Sequence, residues 1–241
     1  MAVVAFQVGH LQVSRPRPAA PTTEEIDVNP TDTALVLTDP QNDFLSPDGA
    51  TWQLVGASVE DNGTVEHIEQ LLVAAKESGY PVFVSPHFYY PTDHEWLFGG
   101  TLEKMMHEIH MFDRTSPLTG EGLPGSGADW LDRYKPYLDD GATVITSPHK
   151  VYGPQNNDLA LQLRKRGVSK VVLAGMSANL CVESHLRDLL EMGFDVTVVS
   201  DATAAANHPE LGDGYAAAMT NFGFLAGAVL TTQDAVQELK G

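Results

Sequence analysis

The sequence predicts one α/β domain in three layers, with helices on both faces of a six-stranded, mostly parallel sheet. Three observations support this fold class. Strand-like and helix-like segments alternate from residue 33 onward, the strand-like runs are continuously apolar, and glycines follow the helical segments. Continuous apolar runs are typical of strands that helices cover on both faces. Alternation of this kind implies right-handed β-α-β crossovers within one sheet.

The strand-like segments are short runs rich in Val, Ile, Leu and Ala. They predict strands at 33–38, 81–86, 142–147, 170–175, 195–200 and 227–231. The segments between them have the apolar spacing of amphipathic helices. These helices are predicted at 62–79, 101–112, 127–138, 157–167, 179–192, 213–222 and 232–239. Four of the helices are followed by a glycine, the residue that helix C-termini favour: Gly79, Gly141, Gly167 and Gly193.

Length and composition indicate a globular chain with a single α/β domain, large enough for a sizeable core, at 31–241. Of its 241 residues, 43% are hydrophobic and 19% are charged, which excludes a disordered chain. Residues 1–30 include Ser14-Arg-Pro-Arg-Pro-Ala-Ala-Pro21, whose prolines oppose both helix and strand pairing. An extended N-terminal arm is therefore expected there. The chain has one cysteine, which leaves no internal disulfide framework and suits the reducing cytoplasm.

The charge balance argues against two classes of partner. Thirty-two acidic residues against fourteen basic ones give a formal net charge of -18. Such a surface repels nucleic acid and anionic lipid, so neither is expected to bind. No apolar stretch has the length of a membrane span, and the N-terminus lacks a basic leader. The expected partner is a small-molecule substrate.

Three residues with the chemistry of a catalyst occupy equivalent places in the predicted fold. Asp39 follows the first predicted strand, Lys150 follows the third, and Cys181 lies in the first turn of the helix after the fourth. The carboxyl ends of parallel strands meet along one rim, where ligands bind. The dipole of the helix is expected to lower the pKa of the Cys181 thiol toward the reactive thiolate.

Together these groups could hydrolyse an acyl compound. A thiolate attacks a carbonyl and divides one difficult substitution into two steps through a thioester. Asp39 can take the thiol proton and return it to a leaving amine, and the ammonium of Lys150 would favour both anions. Backbone N–H groups where a turn enters the helix would stabilise the oxyanion; Ser177 and Cys181 are the candidates.

Three motifs resemble those of the isochorismatase-like cysteine hydrolases. They are Leu37-Thr-Asp-Pro-Gln-Asn-Asp-Phe44, Pro148-His-Lys-Val-Tyr152 and Gly175-Met-Ser-Ala-Asn-Leu-Cys-Val-Glu183, and the similarity runs from about residue 31 to 231. The resemblance implies a Rossmann-like fold and a triad of Asp39, Lys150 and Cys181. It also implies a cis peptide before Ser177, which aims the Ser177 N–H into the oxyanion hole, and assembly as a homodimer or homotetramer.

The family includes nicotinamidases, N-carbamoyl and ureide amidohydrolases, and isochorismatases. Isochorismatases cleave a vinyl ether and usually lack the cysteine, so Cys181 favours hydrolysis of a small amide, ureide or N-carbamoyl compound. Metal-binding nicotinamidases carry Asp-x-His and a later histidine near the second strand. Residues 85–94 do not provide that set, so neither a metal nor another cofactor is predicted. A vinyl-ether hydrolase and a non-catalytic ligand-binding relative remain as alternatives.

Further residues are candidates by position. The substrate-binding candidates are Phe44, Trp52, His87, Tyr152 and Met176. Asp43 could compete with Asp39, although an aspartate before a loop more commonly accepts backbone hydrogen bonds.

The long aromatic segment 87–126 begins at the rim of the second strand, so it is expected to form a lid or a wall of the pocket. Within it, His107, His110 and Glu103 have helical spacing and are interpreted as a polar helix face. This segment or the N-terminal arm is expected near the subunit contact of a homo-oligomer.

Overall fold

The computed structural model describes residues 27–241, and a sheet of six strands forms its centre. All neighbouring strands in this sheet are parallel, in the spatial order β3-β2-β1-β4-β5-β8. The six strands are β1 (Thr33–Thr38), β2 (Val82–Ser85), β3 (Val144–Ile145), β4 (Lys170–Met176), β5 (Asp195–Ala204) and β8 (Ala228–Leu230). A separate antiparallel pair consists of β6 (Asn207–His208) and β7 (Gly212–Asp213). The predicted six-stranded parallel sheet is confirmed.

Helices cover both faces of the sheet, as the continuous apolar strands predicted. They are α1 (Asn42–Leu45), α2 (Trp52–Asp61), α3 (Thr64–Glu77), α4 (Thr101–Glu108), α5 (Lys135–Leu138), α6 (Leu159–Lys165), α7 (Glu183–Glu191), α8 (Gly214–Leu225) and α9 (Thr232–Lys240). Alternate residues of β1 face opposite cores: Leu35 and Leu37 pack with α2, α3 and α9, whereas Ala34 and Val36 pack with α6, α7 and α8. Period-two side-chain alternation thus builds the three-layer domain.

Two predicted helices are shorter than their sequence pattern indicated. The helix predicted at 127–138 is helical only at Lys135–Leu138, because the Asp129 carboxylate accepts the N–H groups of Gly125 and Trp130 and fixes a turn. The helix predicted at 101–112 ends at Glu108, since the residues at 110 and 112 adopt left-handed φ angles of 57° and 59°. The Phe112 N–H instead donates to the buried carboxylate of Asp43 at 2.6 Å.

The predicted N-terminal arm at 1–30 lies outside the described residues, apart from 27–30. Within residues 27–241, no helix combines the length and apolar character needed to cross a bilayer. From β1 the chain builds outward through β2 and β3, then returns to place β4 on the other side of β1. The reversal between β1 and β4 creates a crevice at their carboxyl ends, where such sheets bind ligands.

Candidate active site

The carboxyl end of β1 places Asp39 in this crevice. Its side chain is fully buried, its φ angle is 46°, and its N–H donates to Ser85 O at 3.1 Å. Pro40 prevents a smooth continuation of the strand, so the backbone turns at Asp39 and directs the carboxylate into the crevice. Asp43, the competing carboxylate, instead accepts N–H groups from Ala50 and Phe112. Asp43 therefore ties loops together, as its sequence position suggested.

The carboxyl end of β4 delivers Cys181 to the same crevice. The peptide between Met176 and Ser177 is cis, and the chain then forms a π-helical turn at Ala178–Val182 that leads directly into α7. Gly175 permits this approach, since it has a φ angle of 115° and a Cβ there would lie 2.0 Å from Thr38 O. The ligand atoms of Asp39 and Cys181 lie within 4.8 Å of each other.

The side chain that contacts Asp39 belongs to His149, a residue that the sequence analysis did not select. Its Nε2 lies 2.8 Å from Asp39 Oδ1, and both side chains are fully buried. The carboxylate can only accept, so Nε2 carries the proton and donates it. Adjacent residues of extended backbone point in opposite directions. The only signal in the sequence was therefore the place of His149, one residue before Lys150 in the predicted motif.

Lys150 points away from this pair. Its Nζ donates to Phe88 O at 2.7 Å and to Asp93 Oδ2 at 2.5 Å, and it lies 3.7 Å from the centre of the Tyr90 ring. Burial lowers the pKa of Lys150 below its usual value. The lysine thus connects β3's carboxyl end to the aromatic segment, and the structure does not bring it into hydrogen-bonding contact with Asp39.

The environment of the thiol differs from the sequence expectation. Burial, followed by the charge of Asp39, raises the pKa of Cys181 well above its usual value. Hydrogen bonding from the backbone N–H groups of Ser177 and Cys181 opposes this rise in pKa but does not overcome it. The prediction that the helix dipole lowers the thiol pKa is therefore wrong, because desolvation of a buried anion outweighs it. The resting sulfur is a thiol with a carboxylate nearby to take its proton.

His87 lies against the same group with both ring nitrogens free of partners among the described residues. It is 1% exposed, and burial holds its pKa well below the usual range, so the ring is neutral. Its backbone is fixed by Gln41, whose side-chain amide pairs with both the N–H and the C=O of His87 at 2.9 Å. A buried imidazole without partners is available to hydrogen-bond a ligand.

The crevice opens into a small, mostly apolar cavity of about 60 Å³ that Cys181 and Ser177 line. Three substrate-binding candidates, Phe44, His87 and Tyr152, also line it. The rest of the lining is Thr51, Leu54, Val55, Leu102, Met105, Met106, Met111, Phe112, Leu180 and Ala206. The other two candidates lie elsewhere: Trp52 borders a separate cavity of about 600 Å³ that Cys181 does not line, and Met176 is fully buried in the core.

A third histidine of the site, His185, contacts the backbone of Cys181. Its Nδ1 lies 2.7 Å from Cys181 O and its Nε2 lies 2.8 Å from Ser85 Oγ. A carbonyl only accepts, so Nδ1 carries the proton and Nε2 accepts from the serine hydroxyl. Burial lowers the pKa of His185 to about 3, which keeps the ring neutral. The histidine one turn after the cysteine was the sequence signal, since residues four apart share a helix face.

Among residues 27–241, two groups of side chains have the composition of metal ligands. The first is the buried group of Asp39, His87, His149 and Cys181 in the crevice; the second comprises His94, His110 and Asp113 in the aromatic segment. In each group the ligand atoms lie within 4.8 Å of one another.

A parallel α/β fold with a buried cysteine and aspartate at its switch point defines a class of candidate hydrolases. The family profile of the isochorismatase domain matches residues 33–234, and the chain belongs to the isochorismatase family. It is 30% identical to the ureidoacrylate amidohydrolase RutB of Pseudomonas syringae pv. syringae over 210 residues, covering 85% of this chain and 82% of that protein. RutB of Acinetobacter baylyi is 31% identical, over 88% of this chain and 86% of that protein.

Solved structures agree on the fold. A cysteine hydrolase from Pseudomonas syringae pv. phaseolicola superposes with a TM-score of 0.71 at 24% identity, covering 95% of this chain and 99% of that one. N-carbamoylsarcosine amidase from Thermoplasma acidophilum gives a TM-score of 0.59 at 21% identity, over 83% and 96% of the two chains. These likenesses show a shared fold.

Proposed function

We propose that this protein hydrolyses a C–N bond other than a peptide bond, in a small amide, ureide or N-carbamoyl compound. The observation that carries the proposal is the buried Asp39 carboxylate, which accepts a hydrogen bond from His149 and lies within 4.8 Å of the Cys181 thiol. The amidohydrolase names of its relatives support the same reaction class.

The first half-reaction acylates Cys181. As Sγ forms a bond to the substrate carbonyl carbon, its proton passes to Asp39, which matches a resting thiol that needs a nearby acceptor. The C–N bond then breaks, and Asp39 returns the proton to the departing nitrogen, which leaves as ammonia or an amine. In the second half-reaction water attacks the thioester, Asp39 takes the water proton, and the C–S bond breaks with reprotonation of sulfur.

The oxyanion formed in each step needs donors beside the sulfur. The backbone N–H groups of Ser177 and Cys181 act to lower the pKa of the thiol, so both favour negative charge on the sulfur. A carbonyl carbon bonded to Sγ would place its oxygen next to these groups. We therefore assign them as the oxyanion hole.

Two residues compete for the third place in the catalytic group. The family resemblance implies Lys150, whereas the geometry favours His149, which alone of the two contacts Asp39. In the assignment proposed here, His149 orients Asp39 by donating from Nε2. Lys150 instead contacts Asp93 and Phe88, in the aromatic segment that supplies part of the cavity lining.

The lining of the cavity narrows the substrate class. No arginine or lysine is among the described residues that line it, and both Lys150 and Arg114 donate elsewhere. A carboxylate in the cavity would have no cation to pair with, and an unpaired buried charge is costly. We therefore propose a neutral substrate with a compact apolar group. The amide or ureide end would hydrogen-bond the free nitrogens of His87.

Ammonia release from a substrate panel tests the function. Neutral amides, ureides and N-carbamoyl compounds are compared with analogues that carry a carboxylate, in wild type and in Cys181→Ala. We expect turnover of a neutral member, loss of at least roughly a thousandfold in Cys181→Ala, and a substrate-sized mass added to the intact protein after rapid quenching. Full ammonia release by Cys181→Ala would contradict the thioester route.

Assembly as a homo-oligomer is also proposed. Large apolar side chains of the segment 87–126 are exposed, with Leu97 89%, Phe98 88% and Leu118 91% accessible. Exposed apolar groups clustered in one segment commonly mark an interface. Light scattering at micromolar concentration would give a multiple of 26.0 kDa. A mass equal to one chain would reject the assembly.

A further inference from the structure

Three side chains of the segment 87–126 converge on one point outside the catalytic crevice. The Asp113 carboxylate contacts His94 Nε2 at 2.7 Å through one oxygen and His110 Nδ1 at 2.8 Å through the other. We propose that His94, His110 and Asp113 form a binding site for a divalent transition-metal ion, with Zn²⁺ as the expected ion. Two imidazole nitrogens and one carboxylate oxygen form a ligand set typical of zinc sites that keep an open position for water.

The geometry accepts an ion with little movement. Zinc–ligand distances of about 2.0–2.2 Å place tetrahedral ligand atoms about 3.4 Å apart. The ligand atoms here lie within 4.8 Å of one another, and the histidine contact to whichever Asp113 oxygen binds the ion would have to lengthen by about 0.6–0.7 Å. The His110 side chain is 78% exposed, so it can make this adjustment without disturbing the core.

A third histidine, beside the two proposed ligands, provides an independent observation. The Nε2 atom of His107 is buried and has no hydrogen-bond partner in the described part of the chain. Its ring centre lies 4.7 Å from that of His94. A buried nitrogen without a partner loses free energy that a ligand or a metal-bound water could restore. The spacing of His107 and His110 predicted that both lie on one helix face. Only His107 is in the helix, because the chain leaves α4 before His110, whose left-handed φ angle turns its side chain toward Asp113.

The proposed ion site is separate from the catalytic group. The Tyr89 ring stands between the two, with its centre 4.6 Å from that of His87 and 4.3 Å from that of His107. The ligands also come from different parts of the segment: His94 from the turn Asp93–Glu95, His110 from the chain after α4, and Asp113 from beside Phe112. This set is not the Asp-x-His pattern at residues 85–94 that the sequence analysis considered and did not find.

An ion at this point would stabilise the wall of the cavity. Asp113 pairs with Tyr89 in a short parallel bridge, in which Tyr89 N donates to Phe112 O at 3.0 Å and Arg114 N donates to Tyr89 O at 2.8 Å. The helix α4 carries Met105 and Met106 into the cavity lining. The metal would therefore connect the end of α4 and the turn at 93–95 to the Tyr89–Asp113 bridge, which lies two residues after His87.

Calorimetric titration of the full-length, chelator-treated protein with Zn²⁺ tests the site. We expect one ion bound at this site, with affinity reduced at least tenfold in His110→Gln and Asp113→Asn. His67→Gln is the matched control, since His67 also lies beside an aspartate, Asp201, but without a second histidine. Zn²⁺ should raise the melting temperature of the wild type by a few degrees and leave that of Asp113→Asn unchanged.

Cobalt distinguishes this site from the catalytic group, which also has zinc-like ligands. Co²⁺ bound to a thiolate gives a near-ultraviolet charge-transfer band, whereas Co²⁺ on imidazole and carboxylate does not. We expect Co²⁺ binding that lacks this band, persists in Cys181→Ala and disappears in Asp113→Asn. Absence of binding at micromolar ion, binding insensitive to Asp113→Asn, or binding lost in Cys181→Ala would each overturn the proposal. None of these measurements uses catalytic activity, so failure of the proposed reaction would leave the result unaffected.

Discussion

Two histidine–aspartate clusters with nearly equal contact distances occupy different environments in this protein. In the crevice, His149 contacts Asp39 at 2.8 Å with both side chains fully buried. In the aromatic segment, His94 and His110 contact Asp113 at 2.7 and 2.8 Å, with side-chain exposures of 26%, 78% and 33%. The same residue types at the same distances therefore support different proposals, and burial is the property that separates them.

Burial determines what each cluster can do. In the crevice, the aspartate and histidine are fully buried and a buried thiol lies near the carboxylate, so a proton can pass between two protein groups that are shielded from solvent. At Asp113 the histidine and aspartate side chains are partly exposed and include no thiol, so an ion with bound water can reach them. Matched substitutions in the two clusters therefore test most directly whether the clusters have different roles.

The largest expected difference in kcat is between the variants Asp39→Asn and Asp113→Asn. An amide cannot accept the thiol proton, so Asp39→Asn should lower kcat by roughly 10²–10⁴-fold. Asp113→Asn makes the same chemical change in the exposed cluster, and with chelator present it should leave kcat within about threefold, since Asp113 does not line the cavity. Steady-state kinetics and melting curves on both proteins check this. Equal losses of kcat would mean that the clusters do not differ in role.

A smaller difference in kcat is expected between His149→Ala and Lys150→Ala, which change adjacent residues. Removing the donor to Asp39 should reduce kcat on the order of a hundredfold, because the carboxylate loses its orientation. Removing Lys150 frees Asp93 and loosens the cavity wall, so KM should rise while kcat changes little. The reverse outcome, a collapse of kcat confined to Lys150→Ala, would restore the lysine to the place that the family resemblance gave it.

The fold could be predicted from the sequence because the strands are buried on both faces and read as continuous apolar runs. The positions of Asp39 and Cys181 could also be predicted, since Asp39 directly follows such a run and Cys181 lies in the first turn of the helix after another. His149 was not, because which of two adjacent residues faces a crevice depends on the backbone after Pro148. The cluster at Asp113 depends on the turn at 93–95 and on the left-handed angle of His110, neither of which has a periodic signature.

The smallest expected effect concerns stability and the neutral histidine behind Cys181. Burial lowers the pKa of His185 to about 3, against an ordinary value of 6.5. Between these values the unfolded chain binds a proton at His185 that the folded chain does not. The unfolding free energy is therefore unaffected by His185 above pH 6.5 and decreases as the pH falls from 6.5 toward 3. The loss amounts to about 1.4 kcal/mol per pH unit, or roughly 2 kcal/mol at pH 5.

Urea unfolding at pH 7 and pH 5 measures this difference in unfolding free energy. The difference should shrink in His185→Gln and persist in His110→Gln, whose side chain is 78% exposed in the folded protein. An unchanged difference in His185→Gln would show that this ring is not held neutral, and the buried half of the comparison would then lose its electrostatic basis.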